Sequence, residues 1–388
     1  GFGGYPALRL LIVLLGLLAA LLATMGAVVP RLVDAETVRS RLLAEVQQAL
    51  GRPIAVRGSA ELTLLPRPVL SVGRVTVGAP SGVQAAALVE IDRLDLDLAP
   101  FALLAGRTEV EQARIVRPRL RLEQHDDGPL ALLAALAGDD RPLRRLRIVD
   151  GELRFQPAGL PAEDIEQVEL ELERRADGGL DAHGIGRWRA HPWTFDLGLA
   201  DPTSGRAAPV ELRLGLGSGG RSGLVTLEGV AGPFGSDPMA ADFHGDVRLD
   251  AQELAELAAP VAAAFGLSSD AVGRLRLGPA SLAGKLNRSG ALWQLELSGL
   301  SLAGGTLTGR VEVDADRPRL DLDLEGSSLS LEPDMADAAA ALVREQQMPP
   351  ALTGGLDLRL AALDWRGIAL REVRLAASLP GDDTLRVD

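Results

Sequence analysis

"RPRLDLDLEG", residues 317–326, is the stretch that decides the fold. Leu320, Leu322 and Leu324 fall on one parity, and Asp321, Asp323 and Glu325 on the other. Successive side chains of a β-strand point to opposite faces, so this is a strand with a leucine face and a carboxylate face. Water covers the carboxylates. The leucines need a different cover, and its nature is the question the sequence poses.

The same alternation recurs from Ile54 onward. "RLDLDLAP" sets Leu94, Leu96 and Leu98 on one face, and "RPRLRLEQ" sets Leu120 and Leu122. "EQVELELERR" contributes Val168, Leu170 and Leu172, and "VELRLGLG" contributes Val210, Leu212, Leu214 and Leu216. Leu295 and Leu297 in "LWQLELSGL", and Leu356, Leu358 and Leu360 in "LDLRLAAL", continue it. Gly, Pro, Asn and Asp turn signals such as "DG", "GG" and "DRP" separate the runs. The fold class expected is mainly β, about fifteen strands in a long curled sheet, mostly antiparallel with short turns. Period two alone leaves an all-parallel β-helix as the alternative. Only three later stretches read as helices: "GPLALLAALAG" (128–138), "DAQELAELAAPVAAAFG" (250–266), broken at Pro260, and "EPDMADAAAALVREQQ" (332–347).

Three short helices are too few to cover fifteen strands. The apolar face must meet a second sheet, helices or its own interior. The chain is 47% hydrophobic but only 3% aromatic, whereas sandwich cores use large rings to fill a layer about 10 Å thick. A long curled sheet would instead leave the leucines lining a groove. Such a face in water costs about 25 cal/mol per Å² of apolar surface, and acyl chains relieve that cost. The composition thus favours a lipid-lined groove over a sandwich.

The groove candidates are Leu94, Leu96, Leu98, Leu120, Leu122, Leu170, Leu172, Leu212, Leu214, Leu295, Leu297, Leu320, Leu322, Leu324, Leu356 and Leu358.

The N-terminus reads differently. From Leu10 to Pro30 the chain has no charged residue over 21 positions, between Arg9 and Arg31. About 20 apolar residues span a bilayer core as a helix, which is longer than a usual signal-peptide h-region. A transmembrane anchor over 1–30 is expected, marked by Leu10, Leu14, Leu18, Leu22 and Val29, with cleavage after "ATMGA" as the alternative. Asp34 then caps a short amphipathic helix carrying Val38, Leu42, Val46 and Leu50, which Gly51 and Pro53 end. The first residue is Gly, and "TLRVD" at the end reads as a strand in progress, so a longer natural chain is expected.

The net charge is −13, which argues against a nucleic-acid partner and against broad adhesion to anionic membranes. With no Cys, disulfides and thiolate chemistry are excluded. His125, His183, His191 and His244 lack metal-ligand spacing, so no metal site and no cofactor is expected. The run from Gly215 to Gly223 lacks the Lys-Ser/Thr of a phosphate loop and reads as a hairpin connection. Asp95/Asp97 and Asp321/Asp323 read as solvated pairs opposite the leucines rather than as catalytic pairs. Trp188, Trp193, Trp293 and Trp365 are scattered, at sheet ends or along the groove. No catalytic constellation is present, and the chain is not expected to be an enzyme.

"GRPIAVRGSAELTLLPRPVLSVGRVTVGAPSG", residues 51–82, resembles the start of the AsmA family. There an anchor and a short helix lead into a Gly-Arg-Pro-like turn (Gly51, Arg52, Pro53), a strand, a Gly (Gly58) and a strand ending in a Pro-x-Pro-like turn (Pro66, Pro68). The following "ALVEIDRLDLDLAPFALLAGRTEVEQARIVRPRLRLE" is similar too: an acidic-leucine strand, a Pro- and leucine-rich turn, a Gly, and a strand leading to Pro118; "HGDVRLDAQELAELAAP" and "RPRLDLDLEGSSLSLE" resemble its downstream repeats, so the resemblance is expected to cover nearly the whole chain. The resemblance implies an anchor (1–30), an AsmA-like N-terminal module (31–130) and a continuing β-groove (131–388). It implies an inner-membrane protein of a Gram-negative bacterium with its bulk in the periplasm, related to chorein-type bridges that conduct phospholipid. It further implies a role in outer-membrane lipid homeostasis and a protein partner at the distal end. The alternative is a periplasmic scaffold for outer-membrane protein assembly with a closed, dry core. About fifteen strands give a groove on the order of 70 Å, short for a complete crossing.

Overall fold

A computed structural model describes Ser40 and residues 54–64, 66–77, 89–105, 107, 109–123, 143–156, 163–189, 191–201, 206–217, 223–233, 241–254, 278–302, 304–314, 317, 319–331, 353–365, 367–380 and 386–387. The expected anchor, with Leu10, Leu14, Leu18, Leu22 and Val29, lies outside the described residues, and among those residues no helix is long and apolar enough to cross a membrane. Of the helix expected after Asp34, only Ser40 is described, and it is helical. The helices expected over 128–138 and 332–347 also lie outside; of that expected over 250–266, Asp250 and Ala251 instead end a strand, and the part beyond Leu254 lies outside.

Among the described residues nineteen strands form one sheet. They are β1 (Ile54–Val56), β2 (Ala60–Thr63), β3 (Val69–Val77), β4 (Val89–Leu98), β5 (Val110–Glu123), β6 (Arg145–Gln156), β7 (Glu163–Arg174), β8 (Leu180–Trp188), β9 (His191–Leu199) and β10 (Ala208–Leu216). Then follow β11 (Gly223–Ala231), β12 (Phe243–Ala251), β13 (Ala280–Ser289), β14 (Leu292–Leu302), β15 (Gly305–Asp314), β16 (Arg319–Leu331), β17 (Thr353–Trp365), β18 (Ile368–Pro380) and β19 (Arg386–Val387). β1 and β2 share the outer edge of β3, and from β3 to β19 each strand pairs with the next. Among the described residues the first strands do not pair with the last, so the sheet is an open ribbon rather than a barrel. From β3 to β18 its fifteen inter-strand spacings of about 4.8 Å give roughly 70 Å.

The pairing is antiparallel except at β5–β6 and β16–β17. Parallel neighbours require a connection of a dozen or more residues. β5 ends at Glu123 and β6 begins at Arg145; β16 ends at Leu331 and β17 begins at Thr353. The Gly215–Gly223 run reads correctly as a hairpin, with Leu216 opposite Gly223. One expectation is corrected: the Pro- and leucine-rich turn after β4 is a short helix, α1 (Pro100–Leu104). Pro100 opens it, at the position where a missing N–H costs no helical hydrogen bond.

Burial divides the sheet. β3 to β6 and α1 enclose a closed core around Leu70, Val72, Val89, Ile91, Leu98, Leu103, Ile115 and Leu146. Leu70 is 0% exposed and Leu146 1%. A line of irregular backbone crosses this part. Arg74, Arg117, Asp150 and Gln167 take φ of 41°, 49°, 54° and 52°. The pairing skips there, from Gly73↔Arg93 to Val75↔Ile91, from Ile91↔Pro118 to Arg93↔Val116, and from Val116↔Val149 to Arg119↔Glu152. The Arg117 guanidinium holds the Asp92 carboxylate at 3.0 Å across it. These positions lie in line across adjacent strands and interrupt the ladder on both partners at once.

Candidate functional site

Register converts the sequence alternation into continuous rows. One row runs Leu70, Leu96, Ala113, Leu146, Leu172, Ala182, Leu197, Leu212, Leu227, Val247, Gly284, Leu297, Gly309, Leu324, Leu358 and Leu375, one residue per strand from β3 to β18. A second runs beside it through Leu94, Ile115, Ile148, Leu170, Gly184, Phe195, Leu214, Val225, Leu249, Leu282, Leu300, Leu307, Gly326, Leu360 and Val373. A third links Leu286, Leu295, Val311, Leu322 and Leu356. None of these residues is charged.

Fifteen of the sixteen leucines singled out from parity are therefore brought onto one face, in two groups. Leu98 is buried in the closed proximal core, and Leu94, Leu96 and Leu120 pack against it. Leu122 is paired in register with Phe155. Leu170, Leu172, Leu212, Leu214, Leu295, Leu320, Leu322, Leu356 and Leu358 are half-buried, while Leu297 and Leu324 are buried between their neighbours. Each half-buried leucine leaves on the order of 40 Å² of apolar surface in water, about 1 kcal/mol. Beyond β7 this face is lined rather than filled.

Its floor changes at β8 and β9. There Ala182, Gly184 and Gly186 present no bulk, and Phe195 and Trp193 from β9 lie over the two glycines. A Cβ at Gly184 would stand 2.3 Å from Phe195 Cε1, and one at Gly186 2.6 Å from Trp193 Cζ2. The two rings stack with centroids 5.7 Å apart. Trp193 Nε1 is buried without a hydrogen-bond partner. These are the rings that the low aromatic content concealed.

The opposite face is charged. A row from β6 to β17 reads Arg145, Glu173, Asp181, Gly198, Glu211, Glu228, Asp246, Lys285, Glu296, Arg310, Asp323 and Asp357. Its charges are largely spent on one another. Arg145 holds Glu171 at 3.2 Å and Glu173 at 2.9 Å, and Arg154 grips Asp164 with two bonds of 2.6 and 2.8 Å. The Arg374 hydrogen bonds, joined by Arg359, hold the Asp357 carboxyl below the usual range. Asp95 departs from the solvated reading: it is 9% exposed, and its Oδ1 accepts Ser71 Oγ and Arg93 Nε, each at 2.7 Å. Open depressions lie here, one of about 1020 Å³ over Arg310, Asp321, Asp323, Asp357 and Arg359. Among the described residues no group of three or more His, Asp or Glu is arranged to hold a metal. His183 rests on Asp196 at 2.6 Å on this same charged face.

Among the described residues, Glu163 is the one buried acid on the apolar side, at the start of β7 and opposite Phe155. It is 1% exposed. The Arg189 guanidinium binds both its oxygens, and Trp188 Nε1 donates to Oε2 at 2.9 Å. These bonds, Arg189 first, outweigh burial and hold its carboxyl below the usual value.

A comparison with curated proteins finds no match. The rows continue unbroken past β7 to β18, whereas the likeness to a known family ends within β7: residues 7–173 match the AsmA family.

Proposed function

We propose that this protein is a membrane-associated lipid carrier whose half-open leucine face holds the acyl chains of phospholipids and lets them move along the sheet. The observation that carries this reading is the set of uncharged rows crossing sixteen strands while staying only half-covered beyond β7. Headgroups project past the strand ends into water. Movement is passive, with no bond made or broken, so the role is not enzymatic. Phospholipid is the cargo, and the uncharged segment from Leu10 to Pro30 anchors the chain once in the inner membrane of a Gram-negative cell. The bulk of the chain then stands in the periplasm and serves outer-membrane lipid homeostasis, handing cargo to a partner at the β18 end. The match of residues 7–173 to the AsmA family supports that setting. The closed core of β3 to β6 favours a scaffold reading for that part alone.

The test is photo-crosslinking of the full chain in cells. A photoreactive residue replaces Leu214, Leu322 or Leu358 on the apolar face, or Asp246 or Arg310 on the charged face. Phospholipid adducts from the first three and not the last two are expected. Protein adducts alone from the leucine positions would mean a dry interface and sink the reading.

A further inference from the structure

At one lip of the sheet the apolar face carries a cation. The outermost row, where β11 to β16 end or begin, reads Ala231, Phe243, Arg288, Trp293, Val313 and Leu320. Arg288 interrupts a row that is otherwise apolar. From β8 to β18 it is the one charged side chain in this row and the three beside it, among the described residues. The next row inward, Leu286 and Leu295, is apolar again. The guanidinium lies 4.7 Å over the centre of the Trp293 ring, and its Nε donates to the Gly290 carbonyl at 3.1 Å. It makes no ion pair with any described residue, whereas Arg145, Arg154 and Arg374 on the charged face are matched to carboxylates. Asp242, at the same lip, instead accepts the Gly290 N–H at 3.2 Å.

We infer that Arg288, held between Phe243 and Trp293, binds the phosphodiester of a phospholipid whose acyl chains lie on the leucine rows. This rests on the lipid reading of the apolar face. The chemistry is specific to the position. A planar guanidinium offers several N–H donors to phosphate oxygens, and stacking on an indole fixes its plane while leaving its edge free. Aromatic rings with one apolar and one wet side suit the level where a headgroup meets its tails. Net charge elsewhere is negative, so an unpaired cation at the lip is the local attraction for an anion. A surface arginine serving solubility alone would be expected on the charged face.

The experiment places a photoreactive residue at Val313, beside Trp293 in the same row, in the full chain. The protein meets phosphatidylcholine vesicles carrying tail-labelled phosphatidylglycerol, or the equally labelled diacylglycerol, which lacks the phosphate. Arg288→Gln is expected to lower the phospholipid adduct roughly tenfold, the effect of one charge-assisted hydrogen-bonded contact. Arg288→Lys should retain part of it, and the diacylglycerol adduct should not change. An adduct at Leu214 reports that each variant is folded and that the face still takes lipid. A phospholipid adduct at Val313 that survives Arg288→Gln, or none at Val313 in the unsubstituted protein while Leu214 reacts, overturns the inference and spares the carrier reading. Loss of lipid at Leu214 as well in the unsubstituted protein sinks both. Inorganic phosphate that suppresses the Val313 adduct would mark a free-anion site and overturn the lipid assignment.

Discussion

Leu146 and Leu322 occupy equivalent faces of the same sheet, yet they should respond to one substitution in opposite ways. Leu146 is 1% exposed inside the closed core. Replacing it by Asp forfeits about 2–3 kcal/mol of apolar burial and leaves a carboxylate among Ile115, Ile148 and Leu172, a further cost of several kcal/mol or a forced protonation. The sum, about 5 kcal/mol or more, is on the scale of a domain's whole stability. Leu322 is half-buried between Val311 and Leu356. Its burial contributes about 1 kcal/mol, and a carboxylate there still reaches water over the open face, so Leu322→Asp should cost about 1–2 kcal/mol. Urea unfolding of the full chain in detergent, followed by circular dichroism, separates the two. Leu146→Asp should show no cooperative transition. Leu322→Asp should keep its transition and lose lipid adducts at the neighbouring Leu356. Equal collapse of both variants would refute the reasoning, because it would mean that protein covers the distal leucines as completely as the proximal ones.

Other outcomes follow from single contacts. Glu163→Gln should cost about 2 kcal/mol, less than the 3–5 of a fully buried pair because Arg189 keeps a third of its side chain in water. The folded carboxyl titrates below its unfolded value, so its contribution is complete above pH about 4.5 and is lost as pH falls through the lower, folded value. Acid titration of stability should therefore be shallower in Glu163→Gln than in the unsubstituted protein. Gly186→Ala should displace the Trp193 ring, costing about 1–3 kcal/mol and shifting its fluorescence to the red as the indole meets water. Asp357→Asn, on the charged face, should leave the unfolding midpoint nearly unmoved and the lipid adducts unaltered, because solvent screens its ion pairs.

The strands were legible because leucine and acid alternate without interruption in stretches such as 317–326, and parity alone placed Leu212, Leu322 and Leu358 on one face. The parallel joins at β5–β6 and β16–β17 were not, since period two is the same whichever way a neighbour runs. The proximal closure was also hidden. The backbone irregularities beside it, at Arg74, Arg117 and Gln167, fall on residue types that carry no signal for positive φ, and only Asp150, followed by Gly151, carries one. Asp95 read as solvated because its partners Ser71 and Arg93 come from the register of β3 and β4 and from a side-chain conformation. Arg288 was within reach: it stands two places from Leu286, on the leucine parity, and counting charges on that parity would have found it.

Pairing each strand from β3 onward with its neighbours in sequence also sets how such a molecule can change size. Inserting one β-hairpin between existing strands lengthens the ribbon by about 10 Å, returns the chain to the same edge and leaves every side chain on its former side. Duplication of a short coding segment is therefore a structurally neutral event here, as it is in solenoids built of stacked repeats. A single added strand is not neutral, for it reverses the chain and demands a long crossover like those at β5–β6 and β16–β17. The length of the ribbon can thus be adjusted in steps of two strands, like the rungs of an extending ladder.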